Sequence, residues 1–117
     1  MLHNKLGLIS HDAGKAYSGY TIFSPMGRPS TFLINMKGEV VHEWQLPAMA
    51  GNYAYLLPNG NLLAAQRTEE GPADLPGKGG RLIEMDWNGK ILWEYVDHYQ
   101  NHDFRRLDNG NTVYAAW

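Results

Sequence analysis

The sequence contains no cysteine, so disulfide frameworks, cysteine-based zinc sites and thiolate nucleophiles are excluded. It also lacks an excess of basic charge: 10 Lys and Arg stand against 12 Asp and Glu, a net charge of −2, and the cations are scattered along the chain. Nothing of that kind neutralises a phosphate backbone, and nucleic acid is not an expected partner. No apolar run approaches the ~18 residues that a helix needs to cross a bilayer, so no membrane partner is expected. Residues 1–9 are too short and too interrupted for the apolar stretch of a signal peptide. The compartment stays open between the cytoplasm and, with a leader removed, the periplasm. No long segment repeats at helical period either.

What the sequence does have is core material and turn residues. A hydrophobic content of 44%, with 12% aromatic residues, supplies a packed core, and 13 Gly with 6 Pro favour many short elements joined by tight turns. Two stretches also resemble each other. Residues 31–44 and 53–65 line up with residues 81–95 and 102–115, and the offset is 51 from Gly38 to Gly89 and 50 from Gly60 to Gly110. A period near fifty with several short strands per unit is that of propeller blades.

Asn59-Gly60, Asn88-Gly89 and Asn109-Gly110 each sit between apolar runs, where Asn-Gly suits a two-residue type I′ hairpin. Lys37-Gly38 holds the equivalent place in the first unit, and there only the glycine matches. Alternation between the turns predicts nine strands, at about 19–23, 31–36, 39–45, 52–57, 61–66, 80–86, 90–96, 102–107 and 111–117. The expected fold is all-β, with antiparallel four-stranded blades of a β-propeller. Residues 1–17 form an approach, 18–51 an incomplete first blade, 52–97 a complete blade with a polar Gly/Pro-rich loop over 67–79, and 98–117 the start of the next. A freestanding nine-stranded sandwich is the alternative. Such a stack leaves its end blades uncovered, and residues 113–117 close the chain on an apolar run. The rest of a propeller in the same polypeptide, or a homo-oligomer, is the expected cover.

The candidate site centres on His102, at the start of the strand read as innermost in its blade. Imidazole there serves as nucleophile, base or anion donor; the competing reading is a histidine that closes the blade-to-blade loop by hydrogen bonding. Asp103 is a further substrate-binding candidate, although by alternation it points to the opposite face, which suits a loop cap or a backbone amide better than orienting His102. Arg106 shares the side of His102 and Phe104 at period 2, so it, rather than Arg105, is the candidate for binding an anion through its planar donor fork. His98 and His102 are four apart in a loop with no third ligand near, so no metal site is expected. His42 reads as a half-exposed residue beside Trp44, and His3 and His11 have no nameable partner. Trp44, Trp93 and Tyr95 are expected to fill the gaps between blades, Tyr53 and Tyr55 to pack on an inner strand, and Trp87 to stand exposed in a turn.

The motifs Leu56-Leu57-Pro58-Asn59-Gly60-Asn61-Leu62 and Asn101-His102-Asp103-Phe104-Arg105-Arg106-Leu107-Asp108-Asn109-Gly110-Asn111-Thr112, in this order, resemble the arylsulfotransferase family. Gly38-Glu39-Val40-Val41-His42-Glu43-Trp44 and Met85-Asp86-Trp87-Asn88-Gly89-Lys90-Ile91-Leu92-Trp93-Glu94-Tyr95 add to the likeness, which covers residues 17–117. The resemblance implies a six-bladed propeller, roughly 300 residues at this period. It also implies transfer of a sulfuryl group from a phenolic sulfate ester to a phenol, with no cofactor and no nucleotide donor. A channel histidine is transiently sulfurylated, and further His, Arg and Asn neutralise the sulfate oxygens. The His102-Asp103 order matches a family motif, with His102 as the nucleophile or, the favoured assignment, an auxiliary histidine. A chain of barely two blades is not expected to turn over by itself. The other reading is a non-catalytic propeller-derived module that binds a small molecule, glycan or protein.

Overall fold

The computed structural model describes residues 7–72 and 75–117, which leaves His3 outside the described residues. Its nine strands are β1 (Thr21–Phe23), β2 (Ser30–Ile34), β3 (Val40–Gln45), β4 (Ala50–Leu56), β5 (Leu62–Arg67), β6 (Gly80–Met85), β7 (Ile91–Val96), β8 (Gln100–Arg106) and β9 (Thr112–Ala116). Among the described residues there is no helix. The strands form three antiparallel meanders in chain order: β1-β2-β3, β4-β5-β6-β7 and β8-β9. The alternating runs therefore become strands where expected, with β4 and β8 each starting two residues earlier.

The hairpins are of a different type from the one expected. Type I′ needs positive φ at both central residues, yet Asn59, Asn88 and Asn109 all have negative φ, and only Gly60, Gly89 and Gly110 are left-handed. Each loop instead has three residues, a type I turn followed by a glycine in the left-handed region. Leu57 illustrates it, its carbonyl accepting from Gly60 N at 2.9 Å and its N–H donating to the Asn61 carbonyl at 2.8 Å. Pro58 supplies the reason, since it has no N–H to close a two-residue loop and its fixed φ suits the first corner of a type I turn. Lys37-Gly38 belongs to the same class. There, Asn35 Oδ1 accepts from Lys37 N and Glu39 N at 2.9 and 3.1 Å, just as Asp86 Oδ1 accepts from Asn88 N and Lys90 N at 2.9 Å each. In these two turns the residue that matters is the Asn or Asp three positions before the glycine; at Gly60 and Gly110 that position is Leu57 and Leu107, and Asn59 and Asn109 Oδ1 instead accept from Asn61 N and Asn111 N at 3.0 Å each.

The sheets stack face to face, three layers rather than the two of a sandwich. Leu33, Trp44 and Leu46 of the first sheet region pack on Ala54, Leu62, Ala64, Ile83 and Met85. On the other side of the middle sheet, Leu57, Leu63, Ala65 and Leu82 pack on Phe104, with Tyr53, Tyr55, Trp93 and Tyr114 around them. Because β5 is covered on both faces, Leu62 to Gln66 are all buried, and Leu62 to Ala65 read as a continuous apolar run rather than an alternation.

The first strands of the second and third sheets carry the same irregularity. Ala50 pairs with Gln66 but Ala54 with Ala64; fifty residues on, Asn101 pairs with Ala115 but Phe104 with Tyr114. Each strand therefore bulges at the same point of the repeat, and in β8 the extra residues are His102 and Asp103. Bulges re-aim side chains at one end of a sheet, and this one sets up the candidate site.

Candidate functional site

His102 is the only non-glycine residue with positive φ among the described residues, at φ 50. A side chain held in that region is uncommon and marks a position fixed by its surroundings. The surroundings come from the loop between β5 and β6. His102 N donates to the Gly77 carbonyl at 2.9 Å, Gly79 N donates to the Gln100 carbonyl at 3.1 Å, and Gly80 N donates to Gln100 Oε1 at 3.1 Å. Gly77 is itself left-handed, and a Cβ there would run into the imidazole, so glycine lets the loop lie directly against the ring. Lys78, between these contacts, is buried and directs Nζ at the Glu69 carbonyl, 3.5 Å away.

The His102 side chain is exposed, and its Nδ1 is hydrogen-bonded to Asn101 Oδ1. An amide oxygen only accepts, so in the neutral ring this contact places the proton on Nδ1 and leaves Nε2 its lone pair. Asp103 serves a different partner. Its Oδ1 accepts from the Tyr53 hydroxyl and from Phe104 N at 2.9 Å. The Tyr53 hydrogen bond, then the Phe104 amide, hold the Asp103 carboxyl below its ordinary 3.8, while burial, then Asp103, pushes the Tyr53 phenol up from 10.0.

Asp103 therefore favours the folded chain fully above its unfolded value of 3.8, and that contribution is lost as pH falls through the lower folded value. Tyr53→Phe is expected to return the Asp103 titration towards its ordinary value and to weaken this part of acid unfolding. Carboxylate chemical shifts followed against pH check it, and an unmoved Asp103 titration would show that Tyr53 is not the donor that matters.

Arg106 sits at the other end of β8, and the bulge takes His102 out of the alternation that linked the two. Its Nη2 donates to Glu84 Oε2 and its Nη1 to the Gly110 carbonyl, both at 3.1 Å, while the guanidinium lies 4.6 Å from the Trp93 ring centroid. Glu84 also accepts from Asn61 Nδ2 at 2.7 Å. The arginine is thus engaged in a half-buried ion pair across the seam between two sheets. Arg105, exposed, lies over the Tyr55 ring at 5.1 Å. Both arginines line an open groove of about 580 Å³ with Tyr55, Leu57, Pro58 and Glu84. Tyr55 Oη accepts from Arg106 N at 2.7 Å, so Tyr53 and Tyr55 of one sheet pin the first strand of the next.

His98, His42 and His11 lie apart from this site. His98 Nδ1 is 3.0 Å from Thr68 Oγ1 and 3.6 Å from Glu70 Oε2. His42 stacks on Trp87 at 3.9 Å and edge-on to Trp44 at 4.3 Å, and Trp87 is half exposed. His11 is exposed. Among the described residues no three metal-ligating side chains come together. The sequence reading did not assign roles to Asn101, Gly77, Lys78 or Glu84. The cluster Gly77-Lys78-Gly79-Gly80 was the available signal, since glycines so close together mark a backbone that approaches something tightly.

The fold and site define an antiparallel all-β protein of three stacked sheets with a strained histidine at a strand bulge. Comparison of the chain with family models, with curated proteins and with solved structures finds no match in any of the three.

Proposed function

We propose that the three sheets are successive blades of a β-propeller related to the arylsulfotransferases, and that His102 is its histidine for an aryl sulfate ester. The observation that carries this reading is the strained bulge, which holds an exposed imidazole on the first strand of a sheet with a defined tautomer. In that tautomer Nε2 attacks sulfur, the bond from sulfur to the aryl oxygen breaks, and a phenolate leaves. A second phenol then attacks sulfur through its oxygen, the S–N bond breaks, and the acceptor's proton passes to the medium. As an auxiliary histidine, His102 instead donates to a sulfate oxygen as imidazolium. Arg106, paired with Glu84, is not assigned to the sulfate.

The second reading, a binding module without chemistry, is favoured by the open groove beside Tyr55 and Arg105, away from His102 along β8. Titration of the 117-residue chain with 4-nitrophenyl sulfate, followed by the imidazole resonances, separates the two. The His102 signals are expected to shift with the sulfate ester and not with 4-nitrophenol, and His102→Gln is expected to abolish binding. A covalent sulfuryl group on His102 in the mass spectrum marks the nucleophile, and binding without it the auxiliary role. Unmoved His102 resonances would overturn the enzymatic reading, and shifts confined to Tyr55 and Arg105 would establish the groove instead.

A further inference from the structure

The repeat places β1 and β9 at the same position in their units. β5 pairs with β6 in the register Leu62 to Met85, Leu63 to Glu84 and Ala64 to Ile83. Shifting β6 back by 51 residues gives Ile34, Leu33 and Phe32 of β2, and these are the residues that pair with Thr21, Ile22 and Phe23 of β1. Shifting β5 forward by 50 gives Thr112, Val113 and Tyr114 of β9. The two strands match residue for residue: Thr with Thr, Ile with Val, Phe with Tyr.

They differ in how well they are held. β1 has three residues and leaves the Ser30 and Thr31 end of β2 without a strand on that edge. β9 has five, pairs only with β8, and presents its other edge unpaired, with Val113 half exposed. Ile22, in the matching place, packs against the core between the first and middle sheets. Val113 is thus an apolar side chain whose repeat-equivalent is partly buried.

We infer that β9 of one copy of this chain displaces β1 of another and pairs with its β2. The register is Thr112 to Ile34, Val113 to Leu33, Tyr114 to Phe32, Ala115 to Thr31 and Ala116 to Ser30. Five pairs replace three, and β8-β9 of one copy with β2-β3 of the next make a four-stranded sheet in the order of β4-β5-β6-β7. The contact is head to tail, so it propagates until a ring closes. Displacement of β1 leaves eight strands per copy, two complete sheets. In the six-bladed geometry of the proposed function, on which only this stoichiometry rests, that is three copies.

Light scattering across a concentration series tests the inference on the 117-residue chain. The expected result is reversible growth from 13.2 kDa to about 40 kDa. Val113→Asp, at a site exposed in the separated chain, is expected to hold it monomeric. Ile22→Asp, which puts a charge where β1 meets the core in the separated chain and is released when β1 is displaced, is expected to shift association to lower concentration. The opposite signs separate exchange from general stickiness, which both new charges would reduce. A monomer at every concentration, or association that Val113→Asp leaves intact, overturns the inference. A defined oligomer of another size keeps the strand exchange and removes the six-bladed reading.

Discussion

Trp44→Ala is expected to destabilise the chain by about 3–5 kcal/mol, the range for truncating a buried large aromatic. Trp44 is 1% exposed, at the seam between the first sheet and the middle one. It packs among Leu33, Ala54, Leu62 and Ile83, edge-on to Trp87 at 5.2 Å, and its indole N–H donates to the Asp86 carbonyl at 3.1 Å. Its neighbours Ala50, Ala54 and Ala64 are small and have no side chain long enough to close the cavity. The substitution also removes a hydrogen bond that ties β3 to the turn of the middle sheet. Urea unfolding followed by far-ultraviolet circular dichroism gives the magnitude. Hydrogen exchange should place the loss in β1 to β3, with β5 and β6 still protected. A cost below ~1 kcal/mol would mean that the first sheet is not held by this side chain.

Much of the fold was legible because hairpins are local. Each strand pair is encoded within about fifteen residues by alternation and a glycine turn, and the repeat checked one unit against the other. Turn type was misread because the dipeptide Asn-Gly drew attention from Pro58 on one side and from Asn35 and Asp86 on the other, which close the loops. The site was legible only in outline. His102 stands out as a histidine at a strand start, but its strain depends on a bulge and on Gly77, 25 positions away in sequence. Period 2 puts Arg106 on the side of His102 and Phe104 and so makes it the anion candidate, and the bulge at residues 102 and 103 breaks that alternation. The partner of Arg106, Glu84, lies on another sheet. The repeat held a clue here, since the first unit has Leu56 and Leu33 where the second has Arg106 and Glu84. Two apolar residues exchanged together for opposite charges read as a contact pair rather than as a free cation.

Phe104→Ala is expected to cost a similar ~3–5 kcal/mol, from the opposite face of the middle sheet. The two seams are filled from opposite sides of the stack. Between the first two sheets the large ring comes from β3, as Trp44, in a cluster where β4 contributes only the small Ala50 and Ala54. Between the second and third the first strand of the third sheet, β8, supplies it, as Phe104 at the repeat position of Ala54. Phe104 is 1% exposed and stacked on Tyr53 at 4.7 Å, with Tyr55 at 5.8 Å. Its backbone completes the anchorage, since the Phe104 carbonyl accepts from the Tyr53 hydroxyl at 2.9 Å. Truncation therefore empties the seam and loosens the strand that carries His102. Protection from exchange should be lost in β8 and β9 while β1 to β3 stay protected, and the His102 resonances should move to those of a free imidazole. Phe104→Leu, which refills most of the volume, should cost less than half as much and keep the bulge. Since Trp44 and Phe104 lie on opposite faces of the middle sheet and share no cluster, the two costs should add to within ~0.5 kcal/mol in the double variant. Strong non-additivity would show that the seams are coupled through β5 and that the stack unfolds as one unit rather than sheet by sheet.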